Sequence, residues 1–292
     1  MNNTYKYQLD KSSKKFPCPQ CKKRTMVRYV ETETKTYLEH HMGRCDRESK
    51  CAYHFTPKGN EPISVLPEYY KSEIPTYHSD ETIGRFGNNH KANNFITYLL
   101  QFFTPRDVTD VIHKFFIGTS NHWNGATVFL QVDECIKVHA GKVMLYDKQT
   151  GKRVKKPFNC ITWLHRVLRL NDFVLQQCLF GLHNLNDCNI KDIGIVESEK
   201  TAIIMSIIRP DIIWMATGSK SNFKSKLLKP LKGRKIIAFP DKTEFEIWNK
   251  TAEQLRKEGF NISCSKLLEE KGLEDGDDLV DFIMNQKKAL AA

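Results

Sequence analysis

The chain has 292 residues, of which 40% are hydrophobic and 27% are charged, a composition typical of a folded, soluble protein. Its 45 Lys and Arg residues outnumber its 34 Asp and Glu residues, and the net charge of +11 favours an anionic partner, most simply nucleic acid. No apolar run reaches the ~18–20 residues that cross a bilayer, and the N-terminus lacks a signal-peptide core. We therefore expect a cytoplasmic protein without a membrane segment. No P-loop sequence is present, which excludes a helicase motor within this chain.

The N-terminal segment, residues 1–58, contains two cysteine pairs on either side of a predicted hairpin. The first pair is a Cys-x-x-Cys motif, and five residues separate the two members of the second pair. Four thiolates bind zinc tightly and close a tetrahedral site, which predicts a structural zinc β-ribbon rather than a catalytic metal. The predicted ligands are Cys18, Cys21, Cys45 and Cys51. His54 is an alternative to either cysteine of the second pair.

Prolines recur through residues 59–88 with little periodicity, which predicts an extended linker. Residues 89–188 then predict a basic α+β region. Residues 91–100 and 106–115 have the apolar spacing of helices, and Thr104 is the expected start of the second helix. Short β-rich runs separated by turn residues follow and predict an antiparallel meander. These runs are residues 126–132, 136–139 and 142–146.

The segment of residues 189–292 has a different pattern. Residues 193–196 form an apolar run that ends at Glu197, and a second run leads to Asp241; helical periodicity follows each carboxylate. This is the pattern of buried parallel strands that lead into helices. Ligands of open α/β sheets bind outside the carboxyl ends of such strands, so we expect both carboxylates at one crevice.

A third acidic cluster, residues 275–278, follows a strand predicted at residues 260–264 and precedes the last helix. Carboxylate oxygens are the ligands that hard divalent cations prefer. Within this cluster, Asp277 and Asp278 are both candidate ligands, and one of them is an alternative cap for the last helix.

Glu197, Asp241 and the late acidic cluster resemble the Toprim domain, which bacterial primases, topoisomerases and certain nucleases share. The resemblance implies a Rossmann-like parallel sheet in which Glu197 is a general base or orients the metal. It also implies Mg²⁺ or Mn²⁺ held by Glu197, Asp241 and Asp277 or Asp278. Bacterial primases likewise carry a zinc module ahead of their Toprim core. The expected fold class is therefore α/β, with an N-terminal zinc β-ribbon, an α+β middle region and a C-terminal Toprim domain at residues 189–292.

The chain departs from the family at Thr243, which stands where the family has the second Asp of an Asp-x-Asp pair. Thr243 and Glu246 fit a capping box that starts a helix. Two alternatives follow: a working site with altered acids, or a scaffold kept for binding.

Basic residues surround these motifs. Bacterial primases have a comparable strand and basic turn ahead of their Toprim unit, and that resemblance implies one wall of a nucleic-acid groove at Lys142, Lys152, Arg153, Lys155 and Lys156. Three further candidate contacts to nucleic acid lie within residues 189–292. They are Lys200 at a predicted helix start, Lys220 in a loop of small residues and Lys224 in a cationic segment.

The resemblance implies a primase-like protein of a bacterial mobile element that synthesises primers by Mg²⁺-dependent nucleotidyl transfer. The implied partners are single-stranded or duplex DNA, nucleoside triphosphates and a separate helicase. The alternatives are a DNA-binding or recombination accessory protein without catalysis, which the substitution at Thr243 favours, and a Toprim nuclease.

Overall fold

The structure is a computed structural model that describes residues 6–47, 51–57, 74–186, 192–269 and 273–283. The chain divides into two compact units, residues 1–71 and residues 72–292. The two units together form a mixed α/β protein. Within the described ranges, no helix is both long enough and apolar enough to span a bilayer.

The first unit is an antiparallel β-ribbon. Its strands are β1 (Tyr7–Leu9), β2 (Phe16–Pro17), β3 (Arg24–Glu31), β4 (Gly43–Cys45) and β5 (His54–Phe55). The long β3 pairs with β1, β2 and β4, and β4 pairs with β5. The buried cluster at its centre consists of Met26 and three cysteines, Cys18, Cys45 and Cys51. Such a small core rarely supports a fold without a cross-link or a metal.

The second unit begins with helices that cover an antiparallel sheet. Its first elements are α1 (Glu81–Phe86), α2 (Asn94–Leu99), α3 (Pro105–Lys114), β6 (Gly118–Ser120), β7 (Ala126–Val132), β8 (Val138–Met144), β9 (Ile161–Trp163) and α4 (Leu164–Val167). The strands pair in sequence order, which confirms the predicted meander. The predicted helix start is also confirmed, because the Thr104 hydroxyl accepts a hydrogen bond from the Asp107 N–H at 3.2 Å.

Two local predictions in this region were wrong. The runs at residues 136–139 and 142–146 are largely one strand, β8, because Gly141 continues the strand instead of turning it. A Cβ at Gly141 would lie 2.9 Å from the Leu164 side chain, so the glycine serves close packing. The segment of residues 59–88 was read as a linker, but its described part contains α1, whose Phe86 is buried. Residues 58–73 lie outside the described residues.

The parallel sheet follows. Its elements are β10 (Asp192–Val196), α5 (Glu199–Ile208), β11 (Ile213–Ala216), α6 (Ser225–Leu228), β12 (Lys235–Ala238), α7 (Phe245–Lys257) and β13 (Asn261–Cys264). The strand order is β11-β10-β12-β13 and every pair is parallel. Side chains of α5 pack in one hydrophobic cluster, and side chains of α6 and α7 pack in another. The cationic segment that contains Lys224 forms only the short helix α6, because Pro230 follows it within a 3₁₀ turn, Lys229–Leu231.

One hydrophobic cluster joins the two sheets of this unit. It combines Phe95 of α2 and Phe129 of β7 with Ile203 of α5 and Trp214 of β11, all of them fully buried. The middle and C-terminal regions are therefore packed on a shared core. The predicted domain boundary at residue 188 lies outside the described residues, and apart from the linker the predicted divisions stay predictions.

The contact between Gly194 and Trp214 gives a test of this packing. A Cβ on Gly194 would lie 2.6 Å from the Trp214 ring, so Gly194→Ala should lower the free energy of unfolding by about 1–3 kcal/mol. Gly84→Ala in α1 is the matched control, because a Cβ there meets nothing within 4 Å and alanine favours a helix. Denaturant unfolding measures the free energy of unfolding of both variants and of wild type. A Gly194→Ala variant as stable as wild type would contradict this packing.

Candidate functional site

The four predicted cysteines converge in the first unit. Their Sγ atoms all lie within 4.8 Å of one another, with 3.7 Å between Cys18 and Cys51 and 4.0 Å between Cys21 and Cys45. Tetrahedral zinc with Zn–S bonds of ~2.3 Å places its sulfurs about 3.8 Å apart. A hydrogen bond from the Lys23 backbone N–H helps lower the pKa of the Cys21 thiol to about 6, which favours the thiolate. The residues fit a structural zinc ion.

His54, the alternative zinc ligand, lies outside this cluster. Its ring is exposed and stacks on Tyr29, and its Nε2 lies 2.9 Å from the Tyr29 hydroxyl. Both cysteines of the second pair are already within the cluster, so no position is left for the histidine.

The acidic residues of the second unit meet at one edge of the parallel sheet. Glu197 directly follows β10, and Asp241 lies three residues beyond the end of β12, which is the neighbouring strand. The late acidic segment is tied to the turn at Asp241 through Lys242. The Lys242 N–H donates to the Asp277 carbonyl oxygen at 2.9 Å, and its Nζ donates to the Leu273 carbonyl oxygen at 2.7 Å.

Asp278, rather than Asp277, belongs to this cluster. The residue is 7% exposed, and its carboxylate accepts hydrogen bonds from the Thr201 hydroxyl and from the Val280 and Asp281 N–H groups. It thus caps the helical residues 279–283 and also faces Asp241, whose pKa it raises. The Asp277 carboxylate accepts the Glu274 N–H at 2.9 Å and is half-exposed.

Two members of the cluster, Asp281 and Glu244, are not among the predicted metal ligands. Burial and the neighbouring Asp278 raise the pKa of Asp281. Glu244 contributes to the raised pKa values of both Glu197 and Asp241. A signal was present for Asp281, which follows Asp278 by three residues, the spacing that keeps two side chains close at a helix start.

Burial is the main cause of the raised carboxyl pKa values at this site. It raises the pKa of Asp241 to about 8, and the carboxylates of Asp278, Glu197 and Asp281 add to the effect. Burial also raises the pKa of Glu197, against the effect of the Lys220 backbone N–H, which lowers it. Buried like charges of this kind attract a divalent cation, and oxygen is the donor that Mg²⁺ and Mn²⁺ prefer.

The carboxylates do not yet form a closed coordination shell. In the ranges that the structure describes, no three of their oxygen atoms lie within 4.8 Å of one another, whereas the four cysteines do. The donor set therefore fits a divalent cation in the chemistry of its oxygens, whereas their spacing is wider than that of a closed site.

The predicted helix cap at Thr243 was wrong. Helix α7 begins at Phe245 after Glu244, and no side chain caps its first turn. Thr243 is exposed, has a left-handed φ of +75°, and its N–H donates to a Glu269 carboxylate oxygen at 3.0 Å. The Glu244 N–H donates to the Asp241 carbonyl oxygen at 3.0 Å, and this tight turn takes the position that a regular cap would need.

The basic residues differ in their exposure. The prediction that Lys142 contacts nucleic acid was wrong, because its side chain is buried and its Nζ lies 2.8 Å from Glu199 Oε1. Every residue of β8 is buried, so its side chains point into packed layers rather than solvent. Lys220 is exposed and pairs with Glu244 Oε1 at 2.8 Å. The others are exposed or half-exposed and stay predictions: Lys152, Arg153, Lys155, Lys156, Lys200 and Lys224.

Zinc content gives a first test of this geometry. Cys51→Ser should lose the metal and unfold the ribbon of residues 6–57, because the small core cannot hold the fold alone. His54→Ala, a substitution outside the cysteine cluster, should keep one zinc ion per chain. Elemental analysis of both purified variants measures this, and loss of zinc from the histidine variant would contradict the ligand set.

The raised pKa of Asp241 predicts a pH-dependent stability without added divalent cations. The ordinary pKa is 3.8 and the folded value is about 8, so the folded protein holds a proton that the unfolded chain releases. Stability from this group is complete below about pH 4 and is lost as the pH rises to about 8. The rise in Tm that Asp241→Asn gives over wild type should therefore grow from pH 4 to 8 and then level off. Thermal melts measure it, with the exposed Asp110→Asn as control for charge; a constant difference would refute the assignment.

The solved structures that resemble this chain are distant from it in sequence. No curated protein matches the chain in sequence. In structure it is similar to the primase fragment of the bacteriophage T7 primase-helicase protein, with 14% identity and a TM-score of 0.42 over 95% of this chain and 97% of that chain. It is also similar to the E. coli primase catalytic core, with 14% identity and a TM-score of 0.41 over 73% of this chain and 76% of that chain. A third similar structure contains the zinc-binding and RNA polymerase domains of Aquifex aeolicus primase, with 11% identity and a TM-score of 0.42 over 97% of this chain and 79% of that chain.

Two family models match the chain. A zinc beta-ribbon finger model matches residues 5–63, the part that contains the four clustered cysteines. The second model matches residues 93–242, which is just over half of the chain and includes Glu197 and Asp241. The chain therefore belongs to the family described as domain of unknown function DUF6371.

Proposed function

We propose that the protein is a nucleic-acid-binding, primase-like nucleotidyltransferase that uses Mg²⁺ or Mn²⁺. The observation that carries the proposal is the setting of Asp241, which is half-buried among Glu197, Asp278 and Asp281 at the ends of adjacent parallel strands. The main causes of its raised pKa are burial and neighbouring carboxylates, a charge arrangement that a divalent cation would neutralise.

The residues have distinct roles in this proposal. Asp241 and Asp278 would hold the cation, which supplies Lewis-acid stabilisation of the transferring phosphoryl group. Glu197 would accept the proton of a 3′-hydroxyl. The 3′-oxygen then bonds to the α-phosphorus of a nucleoside triphosphate while the bond to pyrophosphate breaks. Burial raises the pKa of Glu197, which makes its carboxylate a stronger proton acceptor.

The exposed lysines supply the polyanion contacts. Lys152, Lys155 and Lys156 lie on the exposed segment between β8 and β9. Lys220 lies beside Glu197 and is exposed apart from its contact with Glu244. Contacts of this kind bind the phosphate backbone with an affinity that falls steeply with salt.

The resemblance to the Toprim family supports the finer parts of the proposal. These are a Toprim arrangement of the C-terminal sheet, primer synthesis on a DNA template, a cytoplasmic role in replication of a bacterial mobile element, and cooperation with a separate helicase. The parallel sheet with acids at its strand ends supports the first of these.

Primer synthesis tests the proposal directly. Single-stranded DNA, labelled ribonucleotides or deoxyribonucleotides and Mg²⁺ or Mn²⁺ should give products that lengthen with wild-type protein. Glu197→Gln and Asp241→Asn should lower synthesis by about 10²-fold or more, because each removes a group that acts on the reacting atoms. Asp278→Asn and Asp277→Asn form a matched pair, of which only the first should lose synthesis.

The alternatives give different results in the same experiment. Equal DNA binding by all variants, with neither synthesis nor cleavage, would replace the proposal with a binding scaffold. Metal-dependent shortening of the DNA would replace it with a nuclease.

A further inference from the structure

A buried ion pair lies beside the candidate site and contributes no group to it. Lys142 of β8 is 6% exposed, and Glu199, the first residue of α5, is 3% exposed. The pair joins the antiparallel sheet to the first helix of the parallel sheet. Removing two charges from water often costs more than their attraction returns, so stability alone is a weak reason for such a pair.

The Lys142 ammonium also holds a loop. It donates a hydrogen bond to the carbonyl oxygen of Gly218, which follows β11. Glu199 Oε1 lies at ion-pair distance from Nζ, 2.8 Å, but accepts no hydrogen bond within the described residues. The bond of the ammonium to the loop is therefore the directed one, and Glu199 supplies the charge that keeps the lysine at this place.

The loop of residues 217–220 in turn holds Glu197. The Gly218 N–H donates to the Glu197 carbonyl oxygen at 2.8 Å, and the Thr217 N–H donates to the Val196 carbonyl oxygen at 3.0 Å. The Lys220 N–H acts on the Glu197 carboxylate from the same loop and lowers its pKa. The backbone of Glu197 is thus held by this loop, which also lies against its carboxylate.

Gly218 packs closely against the ion pair. Its φ of +72° is in the left-handed region, and a Cβ there would lie 2.7 Å from Lys142 Nζ and 2.8 Å from Glu199 Oε1. The loop therefore lies directly against the pair. The Trp163 ring, 5.9 Å from the ammonium, covers another side of the lysine.

We infer that Lys142 and Glu199 are positioning residues for Glu197, which they fix through the loop of residues 217–220. The inference rests on the proposed function only in taking Glu197 as a functional residue of the acidic site. It assigns to Lys142 a role in the shape of the site instead of contact with nucleic acid.

A double variant separates positioning from stability. Lys142→Met leaves Glu199 buried without its partner and should lower Tm by on the order of 10 °C. Adding Glu199→Met removes the orphaned charge and should recover most of that loss, because an apolar pair of similar volume replaces the ions. Lys148→Met, at an exposed lysine, is the control for loss of one positive charge.

Two measurements on the double variant then test the positioning role. Amide hydrogen exchange of residues 217–222 should be at least about tenfold faster than in wild type, since the Gly218 carbonyl loses its donor. The dissociation constant for Mn²⁺, measured from the free-ion electron paramagnetic resonance signal, should rise about tenfold, a loss of ~1.4 kcal/mol. The Lys148 variant should match wild type in both.

A double variant that recovers Tm and also keeps the wild-type exchange rate in the loop would overturn the inference and leave the pair a structural contact. If wild type itself binds no Mn²⁺, the proposed function fails. Hydrogen exchange then decides the positioning role alone: faster exchange in the double variant supports it and unchanged exchange overturns it.

Discussion

Repulsion between carboxylates at the ends of two adjacent buried strands is the constraint that shapes the second unit. The register of β10 with β12 brings Glu197 and Asp241 to one edge of the sheet, and the turn at Lys242 adds the segment that carries Asp278. Asp241 is half-buried, so water screens these charges only in part. Such an arrangement folds only if hydrogen bonds, protons or cations offset the repulsion.

The structure offsets the repulsion in different ways on the two sides of the site. On the Glu197 side there are basic groups: the Lys220 ammonium pairs with Glu244, and the Lys220 N–H lowers the pKa of Glu197. Asp278 is stabilised by the Thr201 hydroxyl and two backbone N–H groups, the usual role of an aspartate at a helix start. Asp241 is left to retain its proton, as its pKa of about 8 indicates. A divalent cation would displace that proton, so binding of the metal and ionisation of Asp241 are linked.

The sequence predicted the parts of the fold that depend on local pattern. The zinc ligands follow from cysteine spacing, and the strands that end at Glu197 and near Asp241 follow from short apolar runs, so both parts were recognisable without coordinates. The errors share a different cause. Gly141 looks like a turn residue but packs under Leu164, and Lys142 looks like a surface cation but faces Glu199, 57 positions along the chain. Contacts between distant segments decided both positions, and hydrophobic periodicity carries no information about them.

Thr243 shows the same limit and also bears on whether the site can act. As a helix cap, the threonine would have had a structural reason to replace an acid, but the cap does not form and its side chain is exposed. The Toprim resemblance implies a second Asp at this position, and two other acidic residues, Asp281 and Glu244, lie near Asp241. Glu244 is held by Lys220, whereas Asp281 lies beside Asp278 and has its pKa raised by burial and by that neighbour. The acidic character of the cluster therefore does not depend on residue 243, because electrostatic attraction for a cation depends on the summed nearby charge and not on one position.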